Sequence, residues 1–266
     1  MSNEFLKLVR APNPGPMTLD GTNTWIVGDP AVGEPIVVDP GPLIEAHLDE
    51  VLRRSGGRIQ VIVLTHRHLD HSEGAAALAA RVGCGVRAAD PAFQVGPVGL
   101  LAGDGLAAGG VRVEVLAAPG HTDDSMALLL TGPDASVRLL SGDTVLGRGT
   151  TVITHPDGDL ADYLHSINRF QDLVKARGVT EILPGHGPVV TDPAEALQFY
   201  LRHRQERLDQ VRAALAAGDQ TAADVVLRVY AEVDRSVWPA AEQSVRAQLD
   251  YLKAAEPDGP GRHGRR

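Results

Sequence analysis

Between Thr65 and His71 the chain reads Thr-His-Arg-His-Leu-Asp-His, directly after the apolar run Val61-Ile62-Val63-Leu64. Three imidazoles and a carboxylate so close together are more ligand capacity than a core tolerates without a metal, because buried polar groups must find partners. A solvated loop that merely happens to be rich in His is the weaker reading, since surface loops seldom need so many borderline ligands at alternating spacing. If Val61 to Leu64 is a buried strand, His66 and His68 lie two apart and share one face just past its end. Asp70 and His71 then occupy the turn into a helix expected over Ser72 to Arg81. Two ligand sets diverge from one loop, so the fold must bring other chain segments to the same point.

The rest of the chain supplies such segments at strand ends. Short strands are expected over Thr24–Val27 and Pro35–Val38, and Asp39 ends the second. A carboxylate there either receives a ligand imidazole N–H, fixing its tautomer, or simply closes a turn. A strand over Val111–Leu116 leads into Ala118-Pro119-Gly120-His121, where small residues let the backbone come close to a site. The apolar hairpin Ala127–Leu130 and Val137–Leu140 ends in Ser141-Gly142-Asp143, and Ile182-Leu183 runs into Pro184-Gly185-His186-Gly187. Separate strands ending in His, Asp and His form a pattern that a core does not explain; one point collects them. A further strand is expected over Val82–Ala88, an irregular stretch over Phe93–Leu101 and a turn over Gly103–Gly110. Helical spacing covers Leu43–Arg54, with His47 as a partly exposed helix residue, and Leu160–Arg177.

Beyond Asp192-Pro193 the pattern changes to long helices over Ala194–Ala217, Ala222–Tyr230 and Pro239–Leu252. The expected organisation is a catalytic domain over 1–193, a small helical domain over 194–255, and a disordered Gly/Pro/Arg tail over 256–266. Aromatics are only 4% of the chain, so packing must rest on aliphatic contacts between sheet and helices. The single cysteine, Cys84, excludes a disulfide within the chain and a Cys-based metal site, and reads as an inert buried thiol. Residues 1–194 carry 14 Lys/Arg against 23 Asp/Glu, and residues 195–266 carry 11 of each. The acidic excess lies wholly in the part bearing the histidines, which is not the footprint of a strong nucleic-acid binder. The segment from Met1 to Lys7 holds no long apolar run, and no stretch approaches the length needed to span a bilayer, so a cytoplasmic protein without a membrane partner is expected.

His66-x-His68-x-Asp70-His71, followed by His121, Gly142-Asp143 and Pro184-Gly185-His186-Gly187, resembles the ligand signature of the metallo-beta-lactamase superfamily, over about residues 20–192. That resemblance implies an α/β fold, a four-layer αββα sandwich, holding two Zn²⁺ per chain. Carried over position by position, His66, His68 and His121 form one zinc site, Asp70, His71 and His186 the other, and Asp143 bridges them. The flanks Asn13-Pro14-Gly15-Pro16, Gly21-Thr22-Asn23-Thr24, Gly147-Arg148-Gly149-Thr150-Thr151 and Tyr200 to Arg207 narrow the branch. They are similar to the beta-lactamase-like protein 2 group, whose C-terminal extension is helical and winged-helix-like. The likeness then runs to about residue 253. It implies endoribonuclease activity on single strands, as in animal members, or acyl-carrier thioesterase activity, as in fungal relatives.

The implied chemistry is hydrolysis by a metal-bridging hydroxide, with two zinc ions about 3.5 Å apart bringing the pKa of the water near neutrality. Asp70 is the catalytic residue, orienting the nucleophile and taking its proton. Single-stranded RNA is the leading substrate expectation. A thioester, as in glyoxalase II or the acyl-carrier relatives, is the alternative, with slow promiscuous beta-lactam cleavage chemically reasonable. An inactive nucleic-acid-docking protein is disfavoured by the complete ligand set. Asn23, His155, Arg204 and Arg207 are the candidate substrate contacts. Arg204 shares a helical stripe with Leu197, Leu201, Leu208 and Val211, so it faces protein, either paired with a carboxylate or reaching an anionic substrate group.

Overall fold

Side-chain alternation decides the layers. In Trp25-Ile26-Val27, Trp25 and Val27 bury into one apolar cluster and Ile26 into another, and Ile36/Val38 against Val37 repeats the split. Leu128 and Leu130 against Leu129, Leu140 against Leu139, and Leu183 against Ile182 do the same in a second sheet. Strands apolar on both faces must be covered on both, and stacking the two sheets with helices outside each satisfies this.

The computed structural model describes residues 5–255; the tail expected over 256–266 lies outside the described residues. The first half runs β1 (Leu6–Arg10), β2 (Asn23–Val27), β3 (Ile36–Val38), α1 (Glu45–Arg54), β4 (Val61–Val63), α2 (Leu69–Ser72), α3 (Ala75–Val82) and β5 (Gly85–Arg87). The second runs β6 (Gly105–Ala108), β7 (Val111–Ala117), β8 (Met126–Thr131), β9 (Val137–Gly142), α4 (Leu160–Arg177) and β10 (Val179–Pro184). Helices α5 (Pro193–Ala216), α6 (Ala222–Val229) and α7 (Trp238–Ala255) follow. The sheet orders are β1-β2-β3-β4-β5 and β10-β9-β8-β7-β6. The first sheet packs α1 and α3 on its outer face, the second packs α4 and α5, and the result is the αββα sandwich.

Parallel pairing places the strand ends. Val38 is level with Val63 across β3 and β4, and Gly142 with Pro184 across β9 and β10. Asp39 therefore leaves its sheet beside Leu64-Thr65, and Asp143 leaves the other beside Gly185-His186. Backbone hydrogen bonds join the sheets at this edge, from Asn23 N to Gly185 O at 2.7 Å and from Met126 N to Thr65 O at 2.7 Å.

Several local expectations are corrected. Strands β1 and β6 have no clear signal in the sequence. β1 is a short edge carrying Lys7 and Arg10, and β6 is Gly-Leu-Ala-Ala, which pairs with β7 only because Gly109 and Gly110, both at positive φ, make the tight hairpin between them. The strand expected from Val82 begins at Gly85, since Val82 closes α3 and Gly83 caps it in the left-handed region. His47 is buried, held 2.9 Å from Thr24 Oγ1. Cys84 is half-buried, and burial lifts its thiol above the usual range, which keeps it inert. The helices beyond Asp192 share one continuous apolar cluster with the second sheet, which neither moves nor removes the boundary expected at 193/194. Leu139 and Ile182 of the sheet, Leu160 and Phe170 of α4, Leu197 and Tyr200 of α5, and Val225 and Val245 beyond all belong to that cluster. No helix among the described residues is long and apolar enough to cross a membrane.

Candidate metal centre

The loop after β4 carries His66 and His68, and α2 begins at Leu69, so Asp70 and His71 stand on its first turn. His121 follows β7, Asp143 follows β9 and His186 follows β10. The structure brings all seven residues together. His66 Nε2 lies 3.0 Å and His121 Nε2 3.1 Å from His68 Nδ1. His71 Nε2 lies 3.1 Å from His186 Nε2, which is 3.1 Å from Asp70 Oδ2. Asp143 sits between the two groups, 3.5 Å from His71 Nε2, 3.3 Å from His186 Nε2 and 3.8 Å from His121 Nε2.

The outer partners dictate the tautomers. His71 Nδ1 donates to Asp39 Oδ2 at 2.8 Å and His121 Nδ1 to Val152 O at 2.7 Å. Gly21 O accepts from His186 Nδ1 at 3.3 Å. Thr65 Oγ1 donates to Asp39 Oδ2 at 2.6 Å, which leaves it to accept from His66 Nδ1 at 3.0 Å. In their neutral forms these four rings aim Nε2 lone pairs inward, at one another and at two carboxylates. Such a convergence is repulsive unless positive charge lies inside it, and Asp143 Oδ1 is buried with no hydrogen-bond partner. The donor set fits divalent cations, through His66, His68 and His121 on one side and Asp70, His71 and His186 on the other.

Electrostatics divide the same way. Burial opposes charge on His186, yet Asp143 and Asp70 overrule it and lift the ring to about 9. His71 follows, with burial outweighed by Asp143, Asp70 and Asp39. Burial pushes His68 down to about 4, aided by His121 and His71, and holds His66 and His121 below the usual range. Asp143 lies well below the carboxylate range, because His186 and His71 outweigh its burial.

Asp39 occupies the position that was expected to be either a ligand partner or a turn residue. It is buried, and besides His71 it accepts from Thr65 N at 2.8 Å. Arg67, between the two ligand histidines, carries no signal in the sequence because its partners are remote. It reaches Asp123 at 2.6 Å, Asp124 at 3.5 Å and also Asp157, tying the histidine loop to those after His121 and before α4. Its guanidinium is about one quarter exposed. Arg67→Ala leaves these carboxylates facing one another and is expected to lower unfolding stability by about 1–3 kcal/mol, read as a shift in urea midpoint at constant m-value.

Two candidate substrate contacts lie outside the lining of the cavity beside His121 and Asp143. Asn23 is fully buried and donates its amide to Pro184 O and Gly187 O, at 3.0 and 2.8 Å; it pins the turn carrying His186. His155 pairs with Asp250 of α7 at 3.0 Å and faces a separate surface depression. Arg204 and Arg207 do line a cavity of about 320 Å³ whose wall includes His121 and Asp143. The carboxylate considered as a partner for Arg204 is absent among the described residues; Arg204 donates to Thr151 O at 2.6 Å and lies over the Tyr163 ring. Thr151, read in the sequence only within the flank Gly147 to Thr151 and given no role there, also places Oγ1 3.2 Å from His121 Nδ1.

Residues 17–186 match the family model described as the metallo-beta-lactamase superfamily. The chain belongs to the metallo-beta-lactamase superfamily. Residues 221–256 match the beta-lactamase associated winged helix domain, and among the described residues that region holds α6 and α7 with no strand. Beta-lactamase-like protein 2 homologs are 31% identical in Drosophila melanogaster, covering 91% of this chain and 85% of that protein, and 34% identical in Caenorhabditis elegans, covering 90% and 81%. An atrochrysone carboxyl ACP thioesterase from Aspergillus fumigatus is 33% identical over 76% of this chain and 62% of its own length. A metallo-beta-lactamase family protein from Thermus thermophilus shares the fold, with a TM-score of 0.78 over 94% of each chain at 22% identity. The seven His and Asp side chains are thus the candidate metal site of a superfamily hydrolase, and the clusters they form are consistent with a dinuclear centre.

Proposed function

We propose that the chain is a zinc-dependent thioesterase acting on small acyl thioesters. The observation that carries this reading is the cavity beside His121 and Asp143, walled by Met17, Leu19, Leu146, Val233 and Val237. Apolar walls of this size suit an acyl group better than a stacked, polyanionic strand. The fungal relative named as an acyl-carrier thioesterase points the same way. The net charge of −9 also disfavours salt-resistant binding of RNA.

Two Zn²⁺ held by the seven residues would supply Lewis acidity toward the carbonyl oxygen and an activated water. Asp70, partly exposed where the other carboxylate of the centre is buried, would take the proton of the attacking water and pass it to the departing thiolate. Asp39 and Thr65 hold His71 and His66 in their tautomers, and the apolar walls keep bulk water from the acyl chain.

Single-stranded RNA phosphodiesters are the second reading, favoured by the two arginines on the cavity wall. A parallel assay separates the two. Zinc-loaded protein and its Asp70→Asn variant are tested on acyl thioesters, single-stranded RNA and a chromogenic cephalosporin. Asp70-dependent turnover of thioesters, well above that of RNA, is the expected result. Asp70-dependent RNA cleavage with inert thioesters overturns the thioesterase reading.

A further inference from the structure

The cavity beside the metal centre has a cationic end, Arg204 and Arg207, that no carboxylate among the described residues pairs with. Arg204 is 3% exposed, and only one of its three nitrogens, Nη2, has an acceptor among the described residues, the neutral carbonyl of Thr151. Its Nε is buried with no partner. A buried guanidinium cannot shed its proton, and buried charges are as a rule paired with an opposite charge. Here the stacking on Tyr163 at 4.7 Å is the other compensation. Arg207, one helical turn on, also lines the cavity and among the described residues holds only the neutral Gln210 Oε1 at 2.7 Å, with Tyr230 beneath it at 4.8 Å. The third guanidinium of the wall, Arg148, is already held by both oxygens of Asp20. Asp143 is the sole acidic residue lining the cavity among the described residues, and it belongs to the candidate metal centre. His203 registers the resulting field: burial, with Arg204 and Arg207, pushes its ring down to about 4.

We propose that Arg204, assisted by Arg207, binds a carboxylate on the acyl part of the substrate, so that the chain prefers half-thioesters of short dicarboxylic acids. The proposal rests on the thioesterase reading for the scissile bond and on Arg204 for the free acid. The length of the acyl part follows from Thr151, whose carbonyl accepts from Arg204 and whose hydroxyl oxygen lies 3.2 Å from His121 Nδ1. One residue separates the guanidinium from a ligand of the metal centre, so a few carbon atoms span the two. A planar fork with unpaired N–H groups matches a carboxylate, and the apolar walls suit the methylenes between its ends.

The test pairs succinyl-S-N-acetylcysteamine with its isosteric neutral counterpart, 4-methylpentanoyl-S-N-acetylcysteamine, on zinc-loaded protein. The ratio of kcat/KM for the acid over the neutral probe is expected to be about tenfold or more in the parent chain, as a charge-assisted contact allows. In Arg204→Gln it falls to about one, mainly through KM; Arg204→Lys restores part of it, and Arg207→Gln lowers it by a smaller factor. Calorimetry with succinamate, which has no thioester bond, reads the same contact without thioester turnover. Weaker binding to Arg204→Gln than to the parent chain is expected, with folding checked by circular dichroism. If Arg204→Gln does not fold, Arg207→Gln carries the comparison. An unchanged ratio and unchanged succinamate affinity in the folded variants overturn the carboxylate site. Both thioesters inert, with succinamate still bound through Arg204, overturn the thioesterase reading and leave the anion site standing.

Discussion

Asp70→Asn is expected to lower kcat about 10²–10⁴-fold while the His66/His68/His121 group keeps its metal. Asp70 faces His186 Nε2 at 3.1 Å and His71 Nε2 at 3.6 Å, and its side chain is 29% exposed, so solvent water reaches a carboxylate that also borders the metal ligands. Burial works to raise its pKa, but His71 and His186 hold the carboxyl below the usual range, which keeps it ionised at neutral pH. The amide is nearly isosteric and retains one oxygen. What it loses is the charge and the capacity to accept a proton. The first group contains no atom of Asp70, so its metal should stay, while the second group weakens. The measurement is kcat alongside metal content on one preparation. Full activity at full metal content would remove Asp70 from catalysis. Loss of both metals would make its role one of assembly instead.

What the sequence reveals about this site follows from where its information sits. His66, His68, Asp70 and His71 are close in sequence, and the alternation of strand and turn exposes their geometry directly. His121, Asp143 and His186 are legible because each follows an apolar strand across a Gly-containing turn. Gly185 shows why that turn is needed: a Cβ there would stand 2.4 Å from Asp143 Oδ1 and 2.7 Å from His71 Cε1. Gly120 is different. The sequence suggests a close approach to the site, yet its would-be Cβ meets the backbone of Tyr163 at 2.3 Å, so that glycine seats α4. Arg67, Thr151 and the fate of Asn23 were not legible, because their partners lie about 30 to 160 residues away and depend on pairing between sheets. The inward direction of Arg204 was readable from helical spacing; the missing carboxylate was not, since it depends on what every other helix brings to the cavity. Edge strands β1 and β6 escaped notice for a related reason, as pairing and not composition makes them strands.

Asp39→Asn should disable the second metal group while sparing the backbone. Asp39 has φ 51°, a left-handed conformation that Asn adopts more readily than most residues, so the substitution tests hydrogen bonding and not strain. Three donors converge on this buried carboxylate: Thr65 N on Oδ1, and Thr65 Oγ1 with His71 Nδ1 on Oδ2. An amide offers one acceptor oxygen and one NH₂, so either orientation sets a donor against a donor. The orientation that keeps Thr65 N satisfied turns the NH₂ toward His71 Nδ1. That nitrogen must then accept, and the ring proton moves to Nε2, the atom that faces His186 Nε2 and Asp143. A protonated Nε2 cannot ligate. The expected result is a 10- to 100-fold weaker second-site affinity with a stability loss of about 1–3 kcal/mol, read by chelator competition and urea unfolding. The first group keeps His68 and His121, whose partners do not include Asp39, so its metal binding should change less. Equal second-site affinity in the variant would show that Asp39 closes the turn after β3 without holding His71 in its ligating form.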